Sequence, residues 1–117
     1  MGNDTFGKEA LQLFADEKIN KDYVKVCETS KTGVGIVMVD PNGRNEIVIV
    51  LGANEDFTAD DAEKLRAVIA EASVVLLQLE FNLNAVARVV EIAHELHIPV
   101  ILDPAPYQKM PESVIKK

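Results

Sequence analysis

The chain has 117 residues, of which 48% are hydrophobic, and carries a formal net charge of −7. This length and apolar content are sufficient for one buried core. Its 12 Lys and Arg residues are scattered, so we expect no nucleic-acid partner and no anionic membrane partner, since both require clustered positive charge. No apolar run approaches the roughly 20 residues of a membrane span, and the N-terminus lacks the pattern of a signal peptide, so we expect a cytoplasmic protein. Cys27 is the only cysteine and is predicted to be a small buried residue without a disulfide partner.

The first predicted element is a helix over residues 5–18. Asp4 or Thr5 would cap it, because short polar side chains satisfy the free N–H groups of a first turn. Helical spacing places four apolar residues on one face, which we expect to be its packing face: Phe6, Ala10, Leu13 and Phe14.

A β-hairpin is predicted next, from two runs of β-branched residues, 34–39 and 47–51. Residues 40–43, with the sequence Asp-Pro-Asn-Gly, suit a type I turn between them. Both faces of this hairpin are apolar, and a two-stranded ribbon is not stable alone in water. One face would then close over a ligand and the other would meet a partner. The alternative is an ordinary strand pair inside a larger sheet.

The rest of the sequence predicts helices alternating with two strands. Thr58 begins a capping box and a helix that runs to about residue 71. Residues 74–80 and 98–103 are apolar runs with polar residues only at their ends, which is typical of parallel strands buried on both faces. Asn82 would cap the helix between them, which gives a right-handed βαβ unit. A short helix over residues 111–117 would end the chain.

Both predicted strands end on a carboxylate, Glu80 in the first and Asp103 in the second. In open α/β sheets, ligands bind outside the carboxyl ends of the strands, so these two residues mark a candidate binding site. The alternative for Glu80 is a carboxylate that caps the next helix or faces water. Chain position alone leaves both interpretations open.

Motifs for nucleotides and metals are missing from the sequence. There is no Gly-x-Gly-x-x-Gly and no Gly-x-x-x-x-Gly-Lys-Ser/Thr motif. His94 and His97 are three residues apart and would be able to share a metal, but no third ligand lies at a fixed offset. We therefore favour a solvated pair at a helix C-terminus, where cationic side chains are stabilised, and expect no metal site.

Six short motifs, in order, resemble the middle of the ribokinase family, sugar kinases of the phosphofructokinase-B type. The match extends over residues 1–117, although the family usually has Asn where this chain has Asp103. The motifs are Gly-Asn-Asp-Thr-Phe-Gly at 2–7, Thr-Gly-Val at 32–34, the turn at 40–43, Gly-Ala-Asn at 52–54, Leu-Gln-Leu-Glu at 77–80 and Asp-Pro-Ala-Pro at 103–106.

The resemblance implies a fold and a set of parts. The fold would be α/β, a fragment of a ribokinase-like three-layer α/β/α domain that contains a parallel βαβ unit and a β-hairpin from the lid. Residues 1–117 would be its central part, with the lid hairpin at 32–52 and the βαβ core unit at 73–103. The lid hairpin would also build a homodimer.

The resemblance also implies an activity, the transfer of the γ-phosphoryl group of ATP to the 5-hydroxyl of D-ribose. Gly35, Val37 and Ile49 would face the sugar, and Glu80 would bind a sugar hydroxyl. The parent enzyme would use ATP, magnesium and a monovalent cation such as potassium.

The family's first strand with its Gly-Gly motif, and the later Gly-Ala-Gly-Asp motif that carries the catalytic base, are not in this sequence. We therefore expect no catalytic residue in this chain and no phosphoryl transfer by the chain alone. One alternative is a noncatalytic truncated module that self-associates through its hairpin. Another is a piece of a different sugar or nucleoside kinase with the same fold.

Overall fold

The computed structural model describes residues 1–115. The chain divides into two units, residues 1–56 and residues 57–117, and each is described on its own. Within residues 1–115 no helix combines the length and the apolar character needed to cross a membrane.

Helix α1 spans Thr5–Asp16 in the first unit, with Asp4 as its N-cap. It ends two residues earlier than predicted, because Lys18 adopts a left-handed φ of 57° and the Ile19 N–H bonds back to the Phe14 carbonyl at 2.8 Å. The predicted packing face is only partly covered, since Phe6 and Leu13 on that face are exposed.

The predicted hairpin is formed by β1, Val34–Val39, and β2, Asn45–Val50, which pair antiparallel. The Gly43 N–H donates to the Asp40 carbonyl at 3.0 Å and closes the turn. Gly43 has a φ of 80°, which a residue with a side chain rarely adopts. Within this chain both faces of the hairpin are exposed.

A short 3₁₀ helix, Gly52–Asn54, follows the hairpin. The second unit then begins with α2, Ala59–Lys64, and α3, Arg66–Ala70, where the sequence predicted one continuous helix. The predicted capping box is present: the Thr58 hydroxyl accepts from the Asp61 N–H, and the Asp61 carboxylate accepts from the Thr58 N–H. The helix breaks because the Leu65 N–H bonds to the carbonyl three residues back rather than four, at 3.0 Å.

The strands β3, Val75–Gln78, and β4, Val100–Asp103, pair in parallel, with α4, Leu83–Glu95, as the connection between them. The register joins Val75 to Val100 at one end and Gln78 to Asp103 at the other. The parallel βαβ unit is therefore formed as predicted, with both strands shorter than expected.

Helices cover one face of this two-stranded sheet. Ile92 and Ala93 of α4 are fully buried in the core, and Val75, Leu77 and Val100 pack against the buried clusters. The expectation that both faces would be buried is wrong within this chain: on the opposite face Leu76 is 70% and Ile101 is 61% exposed. The described residues supply no helix over those two side chains.

Helix α5 spans Glu112–Ile115, and the rest of the predicted final helix, residues 116 and 117, lies outside the described residues. Val114 and Met110 are buried against α4 and complete a second apolar cluster with Leu79, Val86 and Val90. Leu79 in this cluster directly follows β3 and precedes Glu80.

Candidate functional site

Glu80 lies just past the end of β3, and the backbone of the residue before it makes two hydrogen bonds. The preceding residue, Leu79, is fully buried. Its N–H donates to the Ala105 carbonyl at 3.1 Å, and its carbonyl accepts from the Gln108 side-chain amide at 2.9 Å. The backbone before Glu80 is therefore fixed, and Glu80 itself is partly buried at the carboxyl end of β3.

Asn82, rather than Glu80, caps helix α4. Its side-chain oxygen accepts from the N–H groups of Asn84 at 3.0 Å and Ala85 at 3.3 Å. These bonds confirm the predicted cap, and they also assign to Asn82 the capping role that was the alternative for Glu80.

Asp103 ends β4 directly beside Gln78, its partner in the parallel register. Both side chains are exposed, on the same face as Leu76 and Ile101. At the strand ends, Asp103 thus has Gln78 beside it, a neighbour that the sequence had not indicated when it marked Glu80 and Asp103.

The hairpin register brings together the three residues expected to face a sugar. Gly35 lies opposite Ile49 in the register. Val37 follows two residues after Gly35, and residues two apart in a strand share a face. An added Cβ at Gly35 would meet no atom within 4 Å, so neither packing nor backbone strain within this chain requires glycine there.

A carboxylate that the sequence indicated only as a helix cap forms a larger cluster in the first unit. One oxygen of Asp4 accepts from the Gly7 N–H at 2.9 Å and from the Thr32 hydroxyl at 2.7 Å. The other oxygen accepts from the Thr32 N–H at 2.8 Å. Hydrogen bonds from Gly7, and then from Thr32, lower the pKa of the Asp4 carboxyl from 3.8 to about 2.

Sequence reasoning missed the bond between Asp4 and Thr32 because 28 residues separate them and no spacing rule joins a helix cap to a distant strand. The available signal was the pair of motifs at residues 2–7 and 32–34, which the resemblance used only for recognition.

A second charged cluster lies on the helices of the other unit. Glu63 of α2 bonds to Arg66, and also to Arg88 of α4 at 2.6 Å. These guanidinium groups, Arg66 first, lower the pKa of the Glu63 carboxyl to about 2. The side chains remain partly exposed, so we interpret the cluster as a bridge between helices and not as a binding site.

The histidines lie near the C-terminal end of α4. His94 is exposed in its last turn, and His97 has a left-handed φ of 59° just beyond it. Over residues 1–115 no group of three or more His, Cys, Asp or Glu is placed to hold a metal ion. Cys27 is buried, as expected for a small apolar residue.

Comparison with known proteins agrees with this fold. The family model described as pfkB family carbohydrate kinase matches residues 1–117. The chain is 33% identical over 106 residues to a ribokinase of Schizosaccharomyces pombe. The aligned region covers 91% of this chain and 33% of that protein. This chain belongs to the pfkB family of carbohydrate kinases.

Within that family the solved structures with a similar fold include ribokinases. A ribokinase from Giardia lamblia has a TM-score of 0.87 at 29% identity, with 98% of this chain and 39% of that chain covered. An Arabidopsis thaliana ribokinase complexed with ribose and ATP has a TM-score of 0.83 at 29% identity, with 98% of this chain and 38% of that chain covered. The fold is therefore that of a ribokinase-like α/β fragment.

The chain spans about a third of the length of the curated relatives it matches. Its relatives are ribokinases and related sugar kinases, so this is a fragment of sugar-kinase type.

Proposed function

We propose that this chain is the sugar-binding and lid portion of a kinase that transfers the γ-phosphoryl group of ATP to the 5-hydroxyl of D-ribose. Glu80 would accept a hydrogen bond from a sugar hydroxyl. The hairpin face of Gly35, Val37 and Ile49 would close over the ring.

The observation that carries the proposal is the open space beside Gly35. Glycine in a strand is unfavourable unless another group approaches the backbone closely. Apart from Gly35 itself and its two chain neighbours, no atom of this chain lies within 4 Å of a Cβ built at Gly35, and its register partner Ile49 is exposed on the same face. A sugar ring that packs on this face would account for the glycine and for the exposed apolar side chains around it.

The placement of Glu80 supports its proposed hydrogen bond with a sugar hydroxyl. It follows a fixed backbone at the carboxyl end of a parallel strand, and Asn82 already supplies the cap of α4. A carboxylate in that position is suited to orient a polyol, because hydrogen bonds to a charged acceptor are stronger than those between neutral groups.

In this proposal the nucleotide belongs to other parts of the parent enzyme. The chain has no glycine-rich phosphate motif, and the acidic residues that residues 1–115 contain form no three-ligand cluster for magnesium. We assign ATP, magnesium and potassium to the parent enzyme, as the family resemblance implies.

Complementation tests this assignment. We expect no ADP formation when the chain is incubated with ATP and D-ribose in a coupled assay, and ribose-dependent ADP formation when the remaining segments of the parent sequence are added. Glu80→Gln should lower the restored rate by about tenfold or more, since a hydrogen bond to a charged group is lost.

Glu71→Gln serves as the matched control. Glu71 is an exposed glutamate at the end of α3, and this substitution removes the same charge as Glu80→Gln. Phosphorylation of ribose by the chain alone would contradict the proposal. Equal effects of the two substitutions would remove Glu80 from the site.

A second candidate is a noncatalytic module that self-associates through its hairpin. It is favoured by the exposure of both hairpin faces, on which Ile36 is 55% and Val37 is 57% exposed. Indifference to ribose in the presence of the complementary segments, together with stable dimers, would select this candidate. A preference for another sugar or a nucleoside would instead select a different kinase of the same fold.

A further inference from the structure

The position of the hairpin depends on its base, the residues around Gly33 and Gly52 where its two strands begin and end. Along β1 and β2 the side chains are exposed on both faces, so contacts within this chain do little to orient the strands. The two ends of the hairpin meet at Gly33 and Gly52, and whatever fixes these ends sets the direction of the ribbon.

The backbone is closely packed at this base. A Cβ on Gly33 would lie 2.5 Å from the Leu51 carbonyl oxygen, and a Cβ on Gly52 would overlap the Lys31 carbonyl oxygen. Gly52 also has a left-handed φ of 53°. The next N–H, from Ala53, donates to that same Lys31 carbonyl at 2.8 Å. The two ends of the hairpin are thus joined to each other without an intervening side chain.

Asp4 joins this base to helix α1. Its carboxylate accepts from Gly7 in the first turn of α1 and, through both oxygens, from the N–H and the hydroxyl of Thr32. The Thr32 hydroxyl also accepts from the Gly2 N–H at 3.0 Å. Thr32 lies two residues before β1, so the carboxylate links the start of a helix to the start of the hairpin.

We propose that Asp4 and Thr32 form a fixed joint, and that Asp4 is a positioning residue that holds the sugar-facing side of the hairpin in its binding orientation. This inference rests on the proposed function for its sugar-binding part. Asp4 lies on the α1 side of the joint and acts through Thr32, without contact to the sugar.

The substitution Asp4→Asn separates this role from helix capping. Asparagine is as good an N-cap as aspartate, so the helix start is preserved. Its amide nitrogen cannot accept the Thr32 N–H, so one side of the joint is lost. Thr32→Ser keeps the hydroxyl and should behave as the unaltered chain, whereas Thr32→Val should resemble Asp4→Asn.

The direct readout is a distance between spin labels on Glu9→Cys in α1 and Asn42→Cys in the turn, in a Cys27→Ala background. We expect a narrow distance distribution for the unaltered joint and a broad one for Asp4→Asn, under conditions where circular dichroism shows equal helix content. Asp60→Asn, an exposed aspartate in the first turn of α2, is the matched control and should leave the distribution narrow.

D-ribose affinity, measured by amide chemical shifts, should fall by about three- to tenfold for Asp4→Asn and stay unchanged in Thr32→Ser. A narrow distance distribution in Asp4→Asn would contradict the proposed joint between Asp4 and Thr32. A broad distribution with unchanged ribose affinity would overturn the positioning role. If even the unaltered chain fails to bind ribose while Asp4→Asn broadens the distribution, the proposed function fails and the joint stands.

Discussion

At the level of single residues, two glycines near the start of β1 have different reasons to lack a side chain. Gly33 and Gly35 are two residues apart, yet their surroundings differ. A Cβ at Gly33 would lie 2.5 Å from a carbonyl oxygen, whereas a Cβ at Gly35 would meet nothing within 4 Å. The sequence alone makes them look alike, because packing against a distant backbone leaves no mark on local spacing.

This contrast gives a paired prediction. Gly33→Ala should destabilise the chain by about 1–3 kcal/mol, because the methyl group must displace backbone. Gly35→Ala should leave the free energy of unfolding unchanged or raise it by up to about 1 kcal/mol, since alanine loses less entropy than glycine in a strand. Urea unfolding measures both values.

Gly35→Ala should nevertheless weaken D-ribose binding, because its methyl group would occupy the space proposed for the sugar. Ribose affinity equal to that of the unaltered chain would show that this face of the hairpin does not meet the sugar.

Asp4 gives a prediction about pH. Its carboxyl has a pKa lowered from 3.8 to about 2, chiefly by the N–H of Gly7 and the N–H and hydroxyl of Thr32, with a smaller contribution from the nearby charge of Lys31. A lowered pKa in the folded state means that the ionised form stabilises the fold. This contribution is complete above about pH 4 and is lost as the pH falls through about 2.

Amide hydrogen exchange at Thr32 and Gly7 should therefore accelerate between pH 4 and pH 2 after correction for the intrinsic rate. Asp4→Asn should remove this dependence. An identical pH profile in that variant would assign the effect to another group.

At the scale of secondary-structure elements, local signals predicted most of what the structure contains. The Asp4 cap, the Thr58 capping box, the turn closed by Gly43 and the Asn82 cap are all present, because each depends on residues within a few positions. The break at Leu65 was not predicted, because apolar spacing continues through it and only the hydrogen-bond pattern changes.

The two faces of the hairpin should have separate roles, since one would meet the sugar and the other a second copy of the chain. Ile36 lies opposite Val48, on the face away from Gly35. Ile36→Lys should raise the dimer dissociation constant by at least about tenfold, because it would bury a charge in an apolar interface.

Sedimentation measures the dimer, and Glu71→Lys, a change of charge at an exposed residue outside the hairpin, is the control. Ribose binding should persist in the Ile36→Lys chain. A monomer at all concentrations in the unaltered chain would contradict the proposed hairpin dimer.

At the scale of the whole molecule, sequence reasoning identified the fold but misjudged its coverage. The strands at 75–78 and 100–103 have apolar residues on both faces, which predicted burial on both. One face carries α4, and the other exposes Leu76 and Ile101. Periodicity reports which faces are apolar, and only the three-dimensional arrangement shows which of them this chain covers.

The family is clear from the match over residues 1–117, while the bound sugar is a proposal that rests on two local arrangements in different units. Glu80 and the Gly35 face each have a structural reason to meet a ligand. If the proposal is correct, D-ribose must change the amide chemical shifts of both.

The measurement that tests this most directly is a titration of the ¹⁵N-labelled chain with D-ribose, followed through its amide chemical shifts. We expect saturable shifts both near Glu80 and at Gly35, Val37 and Ile49, with all of them weakened by Glu80→Gln and retained in Glu71→Gln. Shifts that are absent, or that are equal in the two variants, would contradict the proposed contacts of ribose with Glu80 and with the hairpin.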